Sequence, residues 1–148
     1  RRKMKRLFVL LSVILAVGLA APLRAEESDS EVEARKVALD LAGAFSNDGF
    51  KIRDGHWSGA VKQGEQALIA VNLYAGNQYW FSVGADRELQ KFAVHLFDEN
   101  GQPLATEAYE AEDKAAAGFS PTSSGQYFVA IAPTEGQANA FCLVYSYK

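Results

Sequence analysis

The chain has 148 residues, of which 49% are hydrophobic and 22% are charged, and its formal net charge is −3 at neutral pH. A length of this order suits one domain with a hydrophobic core of its own. The sequence contains one cysteine, which excludes the internal disulfide scaffold that many small exported proteins use.

The first 25 residues have the layout of a secretory signal peptide. Five basic residues within positions 1–6 precede an uncharged, mainly apolar run over positions 7–21, and Pro22 and Ala25 follow it. This run is shorter than the ~20 residues that cross the hydrocarbon core of a membrane, which argues against a permanent anchor. We therefore expect cleavage near Ala25, a secreted or periplasmic protein, and no stable membrane insertion afterwards.

Removal of this segment would change the charge balance. Six of the fifteen basic residues and none of the eighteen acidic residues lie within positions 1–25, which leaves a net charge of −9. Nucleic-acid binding draws most of its affinity from Lys and Arg side chains that neutralise phosphates. The acidic balance therefore predicts that nucleic acid is not a partner, and it disfavours anionic membrane surfaces.

The segment 26–49 predicts an amphipathic α-helix. Ser30 and Glu33 have the spacing of a capping box, and Gly49 follows the last apolar residue of the pattern. The predicted apolar stripe consists of Val32, Val37, Leu41 and Phe45.

From residue 50 to residue 148 the hydrophobic period changes to two, and turn residues recur every eight to twelve positions. This pattern predicts an all-β body of seven or eight antiparallel strands. Because one sheet of that width would leave long edges and a bare face, we expect two packed sheets in a jelly-roll-like β-sandwich. The predicted strands are 50–61 in one or two pieces, 67–74, 78–85, 91–98, 103–110, 115–120, 125–132 and 139–147.

Alternation also assigns the two faces of each strand. Trp80, Ser82, Phe97 and Phe128 are predicted to point away from the core, whereas Cys142 is predicted to be a small buried side chain rather than a reactive thiol. The predicted core residues are Ile69, Val71, Leu73, Tyr79, Phe81, Val83, Phe92, Val94, Leu96, Tyr127, Val129 and Ile131.

The acidic segment 98–101 predicts a tight turn between two strands. Gly101 would take a positive φ, and Asp98 would accept hydrogen bonds from backbone amides of the turn. Asp98 and Asn100 are also the residues that we would assign to a calcium ion, although the segment lacks the alternating oxygen ligands of an EF-hand. A second acidic cluster, over 107–113, predicts a solvated loop that could attract calcium weakly.

Three segments together resemble the bacterial pre-peptidase C-terminal domain: VNLYAGNQYWFSV (71–83), HLFDENGQPLA (95–105) and SPTSSGQYFVAI (120–131). The resemblance covers about residues 58–147. It implies a secreted, generally non-catalytic β-sandwich that accompanies enzymes, most often peptidases, and acts in export, processing or adhesion to polymers, sometimes with calcium. The matching positions, all with structural roles, are Gly76, Tyr79, Asp98, Gly101, Gly125 and Tyr127.

Few residues in the sequence are candidates for catalysis. His56 lies beside Asp54 and Ser58, the residue types of a hydrolase triad, but neighbours on an extended segment point to opposite faces and cannot form the relay alone. The other histidine is His95, and neither GxSxG nor HExxH occurs. We predict that the protein is not an enzyme. The alternative is a small secreted hydrolase or metal-dependent enzyme that uses both histidines and nearby acids.

The outward aromatic residues are the most suggestive functional feature. If Trp80, Phe128 and Phe97 share one sheet, they form an apolar patch on which a sugar or a partner protein could stack. The N-terminal helix could instead cover that sheet with its apolar stripe. The sequence therefore predicts a binding or accessory module for a protein or polysaccharide of the cell envelope, and a structural envelope subunit is a further possibility.

Overall fold

The computed structural model of the protein describes residues 28–86, 91–135 and 139–148, so the predicted signal peptide lies outside the described residues. Within these ranges the chain forms one helix and nine strands. No helix in them combines the length and the hydropathy that membrane crossing requires. The elements are α1 (Asp29–Ser46), β1 (Lys51–Ile52), β2 (Trp57–Val61), β3 (Ala67–Leu73), β4 (Tyr79–Ala85), β5 (Lys91–Phe97), β6 (Glu107–Glu110), β7 (Lys114–Phe119), β8 (Gly125–Glu135) and β9 (Asn139–Tyr147).

The strands form two antiparallel sheets. The large sheet has the order β1-β9-β4-β7-β6, with β2 also paired to β9, and the small sheet has the order β3-β8-β5. From β2 to β6 each strand lies in the other sheet from the one before it, whereas β6 and β7 are neighbours in the large sheet. The predicted β-sandwich with an N-terminal helix is therefore confirmed. The predicted first strand is two short strands, because Gly55, with φ of 93°, turns the chain between them.

The main hydrophobic core lies between the two sheets. Phe81, Val83, Val129 and Ile131 are fully buried there, and every predicted core residue is buried. Burying a side chain of this size stabilises the fold by about 1.5–3 kcal/mol. The two-residue alternation thus predicted the interior of the sandwich correctly.

The helix begins at a different cap from the one predicted. Ser28 has extended backbone, and its side chain accepts a hydrogen bond from the Glu31 amide at 3.2 Å. Ser30, the predicted cap, lies inside the helix, so that prediction was wrong. The observed cap places Asp29 and Glu31 in the first turn, where carboxylates stabilise the positive end of the helix dipole.

Small residues form the buried face of α1. Ala34, Ala38 and Ala42 are fully buried against the large sheet, whereas Val32, the first residue of the predicted stripe, is exposed. A Cβ atom placed on Gly84 of β4 would lie 2.4 Å from both the Ala34 carbonyl oxygen and the Ala38 amide nitrogen. The helix backbone therefore rests on the sheet backbone, and this approach requires glycine at position 84.

A second, smaller core lies between α1 and the large sheet. It contains Cys142 and Val144 of β9 together with the alanines of the helix, and Cys142 is buried and not in a disulfide, as predicted. Ser82 and Ser146 lie on the same outer face of the sheet and are fully buried. Ser82 points away from the main core, as predicted, and it is buried because the helix covers the face to which it points.

Tyr145 connects the main core to the chain between β1 and β2. The Arg53 amide donates to the Tyr145 carbonyl oxygen at 2.9 Å, and the Arg53 guanidinium lies 5.2 Å from the Tyr145 ring centroid. Burial raises the pKa of the Tyr145 hydroxyl above its ordinary value of 10.0, and the Arg53 charge partly offsets this rise. The buried ring thus favours the neutral phenol.

We predict that Gly84→Ala lowers the free energy of unfolding by about 1–3 kcal/mol, because the new methyl group must push α1 away from the sheet. Urea unfolding followed by circular dichroism measures this change. Gly125→Ala on β8 is the matched control, since a Cβ there meets no atom within 4 Å. Equal losses in the two variants would show that the helix does not depend on this contact.

We also predict that the protein loses stability as the pH rises above about 10 and that Tyr145→Phe makes the loss shallower. A pKa raised by folding means that the folded state binds more protons than the unfolded state above pH 10, so its stability falls there. Melting temperatures between pH 8 and pH 11 measure the slope. Tyr109→Phe, at a ring that is 44% exposed, controls for the general alkaline loss. An unchanged slope in Tyr145→Phe contradicts the prediction.

Candidate functional site

Trp80 does not belong to an exposed patch. It lies on β4 of the large sheet, and its ring stacks on Phe45 of α1 with centroids 4.3 Å apart and an interplanar angle of 9°. Beneath it, Gly118 of β7 leaves the space that the indole occupies, since a Cβ there would lie 2.9 Å from the ring. The helix therefore covers Trp80, as the alternative interpretation of the sequence expected.

Phe97 and Phe128 lie together on the other sheet. They are direct cross-strand partners on β5 and β8 of the small sheet, and both side chains are half-buried. The condition that they share one sheet with Trp80 is not met, because β4 pairs in the large sheet. The structure thus keeps two of the three predicted binding residues side by side and separates the third.

Leu68 extends this pair into a continuous apolar surface. It lies on β3, is 58% exposed, and lines a shallow depression of about 360 Å³ with Phe97 and Phe128. We call the outer surface of the small sheet around Leu68, Phe97 and Phe128 the aromatic face. Sequence reasoning missed Leu68, although the alternation in 67–73 that buries Ile69 and Val71 also turns Leu68 outward.

The aromatic face lies uncovered among the described residues. The helix contacts β4 and β9 of the large sheet, on the opposite side of the sandwich. Small side chains flank the aromatic pair, since Ala70 pairs with Phe128 and Ala130 pairs with both Leu68 and His95. Two aromatic rings and one leucine form the apolar part of this face, and the exposed His95 lies on the same surface, two residues before Phe97 on β5.

The turn at 98–101 has the predicted geometry. The Asp98 Oδ1 atom accepts hydrogen bonds from the Asn100 and Gln102 amides, each at 2.9 Å, and Gly101 has φ of 77°. One carboxylate oxygen of Asp98, a predicted calcium ligand together with Asn100, thus holds the turn. Within the described residues no group of three or more His, Cys, Asp or Glu side chains is placed to hold a metal ion.

The two histidines lie on different sheets. His56 precedes β2 of the large sheet and is exposed, as are Asp54 and Ser58 beside it. His95 is exposed on the outer surface of the small sheet, opposite Ala130. The structure thus leaves the candidate catalytic residues on separate exposed surfaces. No protein-family model matches the chain, and a search of curated proteins finds no significant match.

We predict that Trp80→Ala lowers the free energy of unfolding by about 2 kcal/mol, because it removes the stack with Phe45 and leaves a gap over Gly118. Chemical denaturation measures the loss. Tyr109→Ala on β6 is the control, since that exposed ring makes no comparable stack among the described residues. A Trp80→Ala protein as stable as the control would mean that the indole does not hold the helix in place.

Proposed function

We propose that the protein is a secreted or periplasmic, non-catalytic binding module that resembles pre-peptidase C-terminal domains, and that it docks on another protein of the cell envelope through the aromatic face. The observation that carries this proposal is the exposure of Leu68 beside Phe97 and Phe128 on an uncovered sheet. Soluble proteins seldom expose a contiguous apolar patch unless it has a partner.

The composition of the aromatic face favours a protein over a polysaccharide. Sugar rings expose hydroxyl groups along their edges, and a site that binds them needs donors and acceptors beside its aromatic rings. The depression at this face has two polar side chains, Gln66 and Glu99, at its border. Its centre offers apolar contact, which suits the aromatic and aliphatic side chains at the centre of protein interfaces.

The acidic charge of this chain predicts which side chains surround the apolar anchor on the partner. Glu99 borders the face, and the chain without its predicted signal peptide carries a net charge of −9. Lys91, on the same small sheet, forms an ion pair with Glu135 at 3.3 Å, which neutralises a positive charge near one end of the face. A partner with an apolar anchor and basic side chains around it would be complementary and would bind faster at low salt.

The dispersal of titratable residues supports a non-catalytic role. General acid–base and nucleophilic mechanisms need the base within hydrogen-bond reach of its proton donor. His56 and His95 lie on separate exposed surfaces, and neither lines the aromatic face depression. The two histidines of the hydrolase alternative therefore do not contribute to one common site.

Photo-crosslinking in the native host tests this function. A photoreactive side chain at Ala70, which is exposed and pairs with Phe128, is expected to form an adduct with one envelope protein. Adding Leu68→Asp should abolish the adduct, because it places a negative charge at the centre of the apolar contact. The same photoreactive group at Tyr109 on β6 is the positional control and should not capture that protein.

The purified partner then allows a direct measurement. Leu68→Asp is expected to weaken its affinity at least tenfold or about 1.4 kcal/mol, with little change in the melting temperature because Leu68 is exposed. Three outcomes overturn the proposal: capture of a second copy of this chain, capture of a polysaccharide, or an adduct that survives Leu68→Asp in a folded protein.

A further inference from the structure

A second concave site lies at one end of the sandwich. It forms where the end of β3 and the turn before β4 meet the end of β9 and the segment between β1 and β2, and its volume is about 310 Å³. We call it the tyrosine cleft. Its wall contains four tyrosines, two asparagines (Asn72 and Asn77) and Arg53, and none of its lining residues is acidic. The tyrosines are Tyr74, Tyr79, Tyr145 and Tyr147.

Two of the tyrosines are buried and present their hydroxyl groups to the cleft. Tyr79 is 4% exposed, and its oxygen accepts hydrogen bonds from the Tyr74 amide at 2.9 Å and from the Asn77 side-chain nitrogen at 3.1 Å. A phenol has two acceptor sites and one proton, so Tyr79 has only its proton left to offer. Tyr145 is 6% exposed, and its side chain also lines the cleft.

The Tyr145 hydroxyl is protonated at neutral pH, since its ordinary pKa of 10.0 is raised further by burial, and it can therefore donate a hydrogen bond. The cleft thus has two donors held in place by rings that the core immobilises. Their placement requires no reorganisation when a ligand with acceptor oxygens enters.

Arg53 adds a positive charge with spare donors. Its guanidinium lies over the rings of Trp57 and Tyr145, 5.4 Å and 5.2 Å from their centroids, and its Nη1 donates to the Asp54 carbonyl oxygen at 3.1 Å. Among the described residues no carboxylate forms an ion pair with it. An arginine fixed on aromatic rings in this way has a planar fork available for a carboxylate.

We propose that the tyrosine cleft binds an acidic saccharide, with the carboxylate of a uronic acid unit on Arg53. Tyr74, which is 63% exposed, and Tyr147 offer ring faces against which the C–H face of a sugar packs. Tyr79, Tyr145 and the two asparagines offer donors and acceptors to the sugar hydroxyls. This proposal concerns different residues from the aromatic face and does not depend on it.

The dimensions of the cleft favour a saccharide over an acidic peptide. Its volume is at the lower end of the range for ligand sites, about 300–1,000 Å³, and suits a short run of sugar rings. The wall consists of hydroxyl, amide and guanidinium groups around aromatic rings, which matches a polyhydroxylated ring. A bound extended peptide would instead need a row of free backbone groups along a strand edge.

Titration of the isotope-labelled protein with three probes tests this proposal by amide chemical shifts. The probes are an oligogalacturonate, the neutral galactose oligomer of the same length, and an acidic peptide of similar size. The oligogalacturonate is expected to shift amides of the cleft and to bind more tightly than the other two. Arg53→Gln should weaken it about tenfold or more and leave the neutral oligomer unchanged, since a charge-assisted pair is lost.

Matched variants separate the contribution of ring packing from the contribution of the Arg53 charge. Tyr74→Ala keeps the backbone amide that bonds Tyr79 and should weaken both sugars, whereas Tyr109→Ala, a similarly exposed tyrosine on β6, should weaken neither. If Arg53→Gln does not fold, the wild-type protein still decides the matter, because only the uronate carries the carboxylate that Arg53 would bind and it should therefore bind more tightly than the neutral oligomer.

Four results overturn the proposal. They are the absence of cleft shifts with oligogalacturonate, equal affinity for the charged and neutral sugars, tighter binding of the acidic peptide, and a Tyr74→Ala protein that binds both sugars as well as wild type.

Discussion

The contact between the backbone of α1 and Gly84 determines which surfaces of this protein remain open. A helix built on Ala34, Ala38 and Ala42 can approach a sheet closely only where the sheet has no side chain, and β4 provides that place. Once the helix lies there, it buries Ser82 and Cys142 and stacks Phe45 on Trp80. The outer surface of β4 and β9 in the large sheet is thereby covered. Among the described residues no helix packs on the small sheet, and its outer surface keeps the apolar side chains that we propose for docking.

Short sequence patterns predicted the sandwich well, because the faces of a strand and the geometry of a tight turn depend on neighbouring residues. A period of two buries Ile69, Val71 and Leu73 whatever the order of the strands, and the turn at Asp98 and Gly101 needs only its own residues. Local patterns do not determine which outward face of a sheet becomes covered. Phe45 and Trp80 are far apart in sequence, and their stack depends on how the helix docks. The alternation placed Trp80 correctly on an outer face and could not distinguish a covered face from a bare one.

The tyrosine cleft was even harder to predict from local sequence patterns than the covered face of the large sheet. Arg53 and Tyr145 meet because β1 and β2 both pair with β9, a pairing between strands at opposite ends of the β body. Within its own segment Arg53 is an ordinary cation of a loop, and Tyr145 is an ordinary aromatic residue of a strand. Their joint chemistry exists only after the sandwich closes, and for that reason local patterns indicated only a structural role for Tyr79 and did not connect the four tyrosines with Arg53.

The two proposed surfaces would give the module two separate attachments. The aromatic face occupies the outside of the small sheet, and the tyrosine cleft lies at one end of the sandwich between elements of both sheets. A protein partner and an acidic polymer could then be held by one rigid body. Tethering of this kind raises the effective concentration of one ligand near the other without any new contact.

The position of Cys142 gives this architecture an internal reporter. It is the sole sulfhydryl of the chain, and it lies with no exposed surface beneath the alanines of α1. A thiol reagent can reach it only when the helix lifts from the sheet or the whole domain opens. The rate of Cys142 alkylation therefore measures how often α1 detaches from the sheet. An alkylation rate higher than the rate of global unfolding would show that the helix detaches while the rest of the domain stays folded.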